Sequence, residues 1–211
     1  MIRMRYRLLP IICALVLLAG CKFVETKKQG EEGGSKFDPD KMVAEMWDAK
    51  VIPYLRGKAG DFKDVRALEK ASPDEAGQKY GHKEKQGTSP WTVVVKLTGK
   101  IVAANVESRA GTIDVDADSD GKADVRVQIG PVMRGTALRD TLDFVSFNDF
   151  TNQIDFAQFG KAFNVHVDKT ITSKLPRDAL IGKDVTILGA YPFGPASELP
   201  LVTPAELALS P

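Results

Sequence analysis

The run "WTVVVKLTGKIVAANVES", residues 91–108, decides how this chain folds. It is long, rich in β-branched side chains and partly alternating, which favours an extended strand over a helix. Such a length exceeds that of an ordinary strand. Gly99, inside it, is where a long strand would bend. A bent strand able to serve two neighbours is what a small barrel needs.

Downstream the pattern continues in short pieces. "GTIDVDA" and "KADVRVQIG" read as two further strands joined by an acidic turn. "PVMRGTALRDTLDFVSF" has mixed character and reads as a turn followed by a short helix or strand. "NDFTNQIDFAQFGKAFNVHV" reads as a helix that starts near Ser146 or Asn148, with Phe150, Ile154 and Ala157 beside Phe156, Phe159 and Phe163 on a broad apolar face. "GKDVTILGAYPF" is a closing strand. A fifth strand falls near Asp143–Phe147 or Leu201–Thr203. The fold class is therefore α+β: a small OB-like β-barrel with an inserted helix, over residues 90–211.

Upstream, residues 37–89 read as a helical segment. Asp38 caps a first helix with Pro39 in its first turn, and Met42, Val43, Met46 and Trp47 recur at helical spacing. Pro53 is expected to kink or end it. Asp61 caps a second helix, and Ser72, Pro73 and Glu75 make a capping-box start for a third. The tryptophan and methionines form a core stripe rather than a ligand stripe.

Residues 21–36 carry "KFVETKKQGEEGGSK" after Cys21, charged and with almost nothing to bury; they read as a flexible tether. Residues 1–20 hold Arg3, Arg5 and Arg7, then a short apolar run, the make-up of a signal peptide. The ending "LLAGC" resembles the lipobox of bacterial lipoproteins, which implies cleavage before Cys21 and acylation of its thiol, with palmitate among the chains. The expected result is a lipid-anchored protein on the periplasmic side of a bacterial membrane. Lys22, where an aspartate would signal inner-membrane retention, favours the outer membrane over the inner.

The chain has two cysteines, Cys13 and Cys21, so the mature domain has no disulfide or cysteine ligand to draw on. Loss of the signal's three arginines takes 29 basic and 28 acidic side chains to 26 and 28, a net charge of −2. A near-neutral domain argues against nucleic acid as a partner.

The acidic turn poses a chemical question. Asp116, Asp118, Asp120, Gly121 and Asp124 make D-x-D-x-D-G-x-x-D. Calcium takes six to eight oxygens, and this spacing can curl carboxylates around an ion. An EF-hand would need a bidentate glutamate where Val127 stands, so that reading fails. The loop is closer to the calcium hairpins of integrin-like propellers, but no repeat accompanies it. Two readings stay open: a structural calcium held by the four aspartates, or a charged turn in which Lys122, Arg109 or Arg126 offsets their repulsion. Either way the turn is Asp118–Lys122, Gly121 takes a positive φ, and Ile113, Val115, Val125 and Val127 face the core.

Gln128–Phe156 interleaves apolar residues with Arg134, Arg139, Asp140, Asn148, Asp149, Asn152 and Gln153. The runs "QIGPVMRGTALRD" and "FNDFTNQI" resemble the signature of a family of predicted periplasmic lipoproteins catalogued as domain of unknown function 2291. The resemblance covers most of the mature chain. It implies a lipid-anchored periplasmic protein often encoded beside ribose- or xylose-type sugar ABC transporters, and it supplies no activity or catalytic role. On physical grounds, Arg139 and Asp140 either form an ion pair that holds the following helix, or Gln128, Arg134, Arg139, Asp140, Asn152 and Gln153 face a ligand's hydroxyls.

Catalysis has little support. His82 sits in a polar loop and His166 near a helix end, neither within a nucleophile or metal motif. The expectation is a non-enzymatic binding or accessory protein, with no required cofactor, that contacts the membrane through its anchor and works with sugar ABC transporter components. The alternatives are an enzyme acting on a saccharide through acidic residues, and a purely structural envelope lipoprotein. A binder should show a concave, partly apolar pocket with Arg139 or Gln153 in its wall; an enzyme should show two convergent carboxylates in a cleft.

Overall fold

The computed structural model describes residues 37–84 and 89–210. The signal, the tether and Cys21 lie outside the described residues.

Asp38 does cap the first helix, α1 (Pro39–Met46), through an Oδ1 that accepts the Lys41 amide at 3.1 Å. Pro53 does not end it. The chain widens into a π-helical turn, Trp47–Val51, and continues as α2 (Ile52–Lys58). A proline mid-helix cannot donate its amide and crowds the carbonyl one turn back. The wider turn just before Pro53 accommodates both effects. A two-residue strand β1 (Gly60–Asp61) leads into α3 (Phe62–Ala71), which Asp61 caps by accepting the Lys63 amide. In α4 (Pro73–Tyr80) the expected capping box is absent: the Ser72 hydroxyl caps no amide, and Pro73 supplies the fixed φ instead. Strand β2 (Gly81–His82) follows.

The run at 92–105 is one strand, β3 (Thr92–Asn105). Its first part pairs antiparallel with β6 (Asp184–Pro192), and from Lys100 it pairs antiparallel with β4 (Thr112–Asp116). Gly99 sits at the change of partner. A Cβ there would lie 2.3 Å from the Asp116 carbonyl oxygen, so only glycine lets the two strands approach so closely. β4 pairs antiparallel with β5 (Val125–Gln128), β5 pairs parallel with β7 (Leu201–Leu209), and β7 returns antiparallel to β6. The circuit β3-β4-β5-β7-β6-β3 is a closed five-stranded barrel, with β1 and β2 as short additions to β3.

The fifth strand is the second of the two expected positions. Asp143–Phe147 instead lies in a turn that enters a 3-10 helix, Phe147–Asp149. Between β5 and β6 lie α5 (Ala137–Asp140) and the long helix α6 (Gln153–Thr170). Ser146 caps only the 3-10 turn, while α6 starts at Asn152, whose Oδ1 accepts the Ile154 and Asp155 amides at 2.9 Å each. Among the described residues no helix is long and apolar enough to cross a membrane.

Two apolar cores result. Val93, Val95, Leu97, Ile113, Val115, Val125, Val127, Ile187 and Tyr191 fill the barrel. Val43, Trp47, Leu55, Val94, Leu138, Leu142, Phe159, Phe163 and Leu188 form a second core between the helices and the barrel wall. This explains the incomplete alternation of β3. Thr92–Val95 is buried throughout because helices cover its outer face, and further on the outward residues meet solvent. The buried stripe of α6 is Phe159, Ala162, Phe163 and Val167, narrower than expected: Ile154 is 61 % exposed and Ala157 also faces solvent.

Candidate functional site

The acidic turn is a self-contained hydrogen-bonded unit. Thr112–Gln128 is a hairpin in register Ile113↔Val127 and Val115↔Val125, with all four valine and isoleucine side chains buried. Gly121 has φ 85°, as expected, and Ser119 also takes a positive φ of 68°. Asp116, which is buried, accepts the Ser119 amide at 2.7 Å through Oδ1 and the Gly121 amide at 2.9 Å through Oδ2. Asp118 accepts from Asp120, Asp120 from Lys122, and Asp124 from both Ala117 and Asp118.

The repulsion is thus met mainly by backbone amides. Arg126 is elsewhere, in a fork on Asp114 directly across the strands at 2.7 and 2.8 Å. Lys122 reaches only Asp120, at 3.9 Å. Asp116, Asp118 and Asp120 offer oxygens within 4.8 Å of one another, and Asp124 stands outside that group. These three carboxylates are amide acceptors and at the same time offer oxygens close enough to share one cation, so both readings of the turn stay open.

Burial opposes the charge on Asp116, yet the Gly121 and Ser119 amides outweigh it and hold the carboxyl below its ordinary value. Because the folded value is depressed, the turn's contribution to stability is complete above the unfolded value of 3.8 and is lost as pH falls through the lower folded value. Asp116→Ala should lower the melting temperature by removing the acceptor of the Ser119 and Gly121 amides. Its deficit relative to the wild type should shrink as the pH drops below that of ordinary carboxylates. A plain charged turn leaves the wild-type melting temperature unchanged in millimolar calcium, whereas a bound structural calcium raises it and Asp118→Ala abolishes the rise.

The polar stretch after β5 divides into a clamp and a cleft. Gln128 is buried in the clamp: its Oε1 accepts the Arg134 amide at 2.7 Å, and its Nε2 donates to the Arg134 carbonyl at 3.1 Å and to Thr203 Oγ1 at 2.9 Å. Asn164 of α6 donates to the Gly135 carbonyl at 2.8 Å, and Arg177 to the Ile129 carbonyl at 2.8 Å. Gly130 packs so tightly that a Cβ would stand 2.3 Å from the Arg109 carbonyl. Three side chains thereby hold the connection from β5 to α5. The Arg134 side chain is exposed, Asn152 is spent as a helix cap and Gln153 is exposed in the first turn of α6. Of the six ligand candidates, only Arg139 and Asp140 come together in a concavity.

There, Arg139 Nε donates to Asp140 Oδ1 at 2.8 Å and Nη1 to the Phe156 carbonyl at 2.9 Å. Its guanidinium lies 3.8 Å from the centre of the Phe156 ring. Asp140 Oδ2 accepts from Thr136 at 2.6 Å. The pair therefore anchors α5 to α6, and a Cβ on Gly160 would lie 2.7 Å from Arg139 Nη1. The pair also forms one wall of a cleft of about 140 Å³, whose other walls are His82, Glu84, Thr92, Leu142, Val145 and Pro192. That volume is below the roughly 300 Å³ at which small-molecule pockets begin. It suits one side chain or part of a sugar ring.

Sequence reasoning missed Asn164, Arg177 and Thr203 in the clamp, Thr136 beside the Arg139–Asp140 pair, and Glu84, Leu142, Val145 and Pro192 in the cleft. His166 is stacked on Trp47 with ring centres 4.3 Å apart, and burial lowers its pKa. A second, polar groove of about 430 Å³ lies between Lys63, Arg66 and Lys70 of α3 and Asp118, Asp124 and Glu198.

A closed five-stranded barrel with a helix between its third and fourth strands is an OB fold, here with a helical layer in front. A crystal structure of an OB-fold protein from Thermotoga maritima is similar at 18 % identity and a TM-score of 0.64, covering 83 % of this chain and all of that one. Two OBody structures bound to hen egg-white lysozyme align at a TM-score of 0.27 and 18 % identity, over 61 % of this chain and 93 % of theirs. No curated protein matches. The model of the predicted periplasmic lipoprotein family DUF2291 matches residues 11–208, and the chain belongs to that family.

Proposed function

We propose that this periplasmic lipoprotein is a non-enzymatic accessory or binding component of a sugar ABC transport system, anchored by acyl chains on Cys21. The observation that carries the binding reading is the cleft beside Arg139. It is concave, its walls include Leu142, Val145, Phe156 and Pro192, and a guanidinium lies over the Phe156 ring.

Asp140 and Glu84 are the carboxylates in its walls. Asp140 has one oxygen on Arg139 and the other on Thr136, so it is poorly placed to exchange protons with a substrate. That favours binding over hydrolysis. The association with sugar uptake rests on the family resemblance of the two signature runs. Lys22 after the cysteine favours the outer membrane.

Metabolic labelling with a palmitate analogue should mark the wild type and leave Cys21→Ala unlabelled. In a strain lacking the protein, the wild type should restore pentose uptake where Cys21→Ala does not. Equal labelling of the two would remove the anchor, and unchanged uptake without the protein would remove the transport role.

A further inference from the structure

Residues 140–160 contain five phenylalanines and four aspartates, and no Lys, Arg or His. The structure leaves part of this apolar content on the surface: Phe144 is 42 %, Phe147 36 % and Ile154 61 % exposed. These positions are held rather than loose. Ser146 and Asp149 close a capping box around the 3-10 turn that carries Phe147. Phe147 meets the ring of Phe156 edge-on at 5.5 Å, and Phe144 meets Tyr54 edge-on at 5.3 Å.

Phe156 is also a wall of the Arg139 cleft, so Phe147 borders that cleft. Arg139 neutralises Asp140. Asp143, Asp149 and Asp155 form no ion pair among the described residues. The latter two accept only from the Ser146 amide and the Asn152 side chain. The segment 143–155 thus presents exposed apolar side chains interspersed with aspartates that carry no ion pair among the described residues, next to a small pocket.

We propose that this surface docks a cationic amphipathic segment of a partner protein. The segment's apolar side chains would cover Phe144, Phe147 and Ile154, one of them entering the cleft beside Phe156. Its lysines or arginines would meet Asp143, Asp149 and Asp155. The charge selects this occupant. An anionic lipid surface attracts basic segments and would be repelled by three uncompensated aspartates. Fixed aromatic anchors ringed by charge are the usual make-up of a protein-binding hot spot, the apolar centre giving affinity and the rim giving specificity. The proposal rests on the accessory-binding reading above and supplies the chemistry of its partner.

The test uses the full mature protein and two labelled helical peptides with leucines on one face, one with lysines and the other with glutamates at the remaining positions. Fluorescence anisotropy should show the lysine peptide binding at least about tenfold more tightly than the glutamate peptide, with the difference shrinking as salt rises. Phe144→Ser with Phe147→Ser, and separately Asp143→Asn with Asp155→Asn, should each weaken the lysine peptide about tenfold. Asp143, Phe144 and Phe147 are exposed and Asp155 is half-buried, and unchanged far-UV circular dichroism would show that the fold is kept. Equal affinity for the two peptides, or no loss in either double variant, overturns the proposal. So does Phe147-dependent binding to anionic vesicles in place of the peptide. Peptide binding without copurification of transporter components would keep the surface and reject the transport assignment. Copurification that survives both double variants would do the reverse.

Discussion

Phe163→Ala should cost about 3–5 kcal/mol, the range for deleting a fully buried aromatic side chain. The melting temperature of a domain this size should fall by about 10 °C or more. Phe163 is 0 % exposed and lies at the junction of three layers. Its ring meets Phe159 edge-on at 5.2 Å and Trp47 at 6.2 Å, joining α6 to the helix that begins the described chain, and both pack on the barrel wall. Collapse around the vacated space is opposed by rigid neighbours, the β-strand on one side and the π-helical turn holding Trp47 on the other. Phe163→Leu should cost less than half as much. Chemical denaturation followed by circular dichroism measures both, and equal stability of Phe163→Ala and the wild type would show that the outer core does not hold the layers together.

The second large effect is electrostatic. Glu69, 8 % exposed, accepts from the Tyr191 hydroxyl at 2.7 Å and from Arg66 Nη1 at 2.5 Å. Tyr191 belongs to the barrel interior and Glu69 to α3, so this carboxylate ties the helical layer to the barrel. Burial first, and then the Glu69 charge, push the Tyr191 phenol well above its ordinary value, which keeps it a hydrogen-bond donor in alkaline solution. Glu69→Ala leaves a partly buried guanidinium and a buried hydroxyl without their acceptor, at a cost of about 2 kcal/mol or more. Tyr191→Phe removes only one partner and should cost about 1 kcal/mol. Equilibrium unfolding of the two variants should separate them clearly; equal losses would contradict the arrangement.

Much of the barrel was legible because its hairpin is a local object. The alternation on either side of "DADSDGKAD" fixes register and face, and Gly121 marks the turn. The fifth strand, β7, was only half legible, for a physical reason. Pro204 interrupts it, opposite Gly189 at a shift in register, and a bulge is where a sheet accepts proline. Its parallel pairing with β5 covers only Leu201 and Val202 and joins residues far apart in the chain, so no local pattern announces it.

Pro53 marked an irregularity in the helix, but which of its two expected effects it would have was not legible, because the widened turn that carries the helix on depends on packing rather than propensity. The polar run around "QIGPVMRGTALRD" was visible as unusual, but its residues divide between tasks that sequence spacing does not separate. Gln128 pins a loop, Asn152 caps a helix, and Arg139 braces α5 against α6 while forming a cleft wall. The clamp partners Asn164, Arg177 and Thr203 come from other elements, where nothing marks them beyond being polar in apolar surroundings.

The role we propose for the lipid-anchored OB domain is to serve sugar uptake by binding rather than by catalysis. Its most direct test is affinity purification of the lipidated wild type from native membranes, with copurifying proteins identified by mass spectrometry. Components of a sugar ABC transporter should be enriched over a Cys21→Ala control in amounts that follow the bait. Enrichment of no transporter component, together with turnover of a periplasmic saccharide by the purified protein, would contradict it.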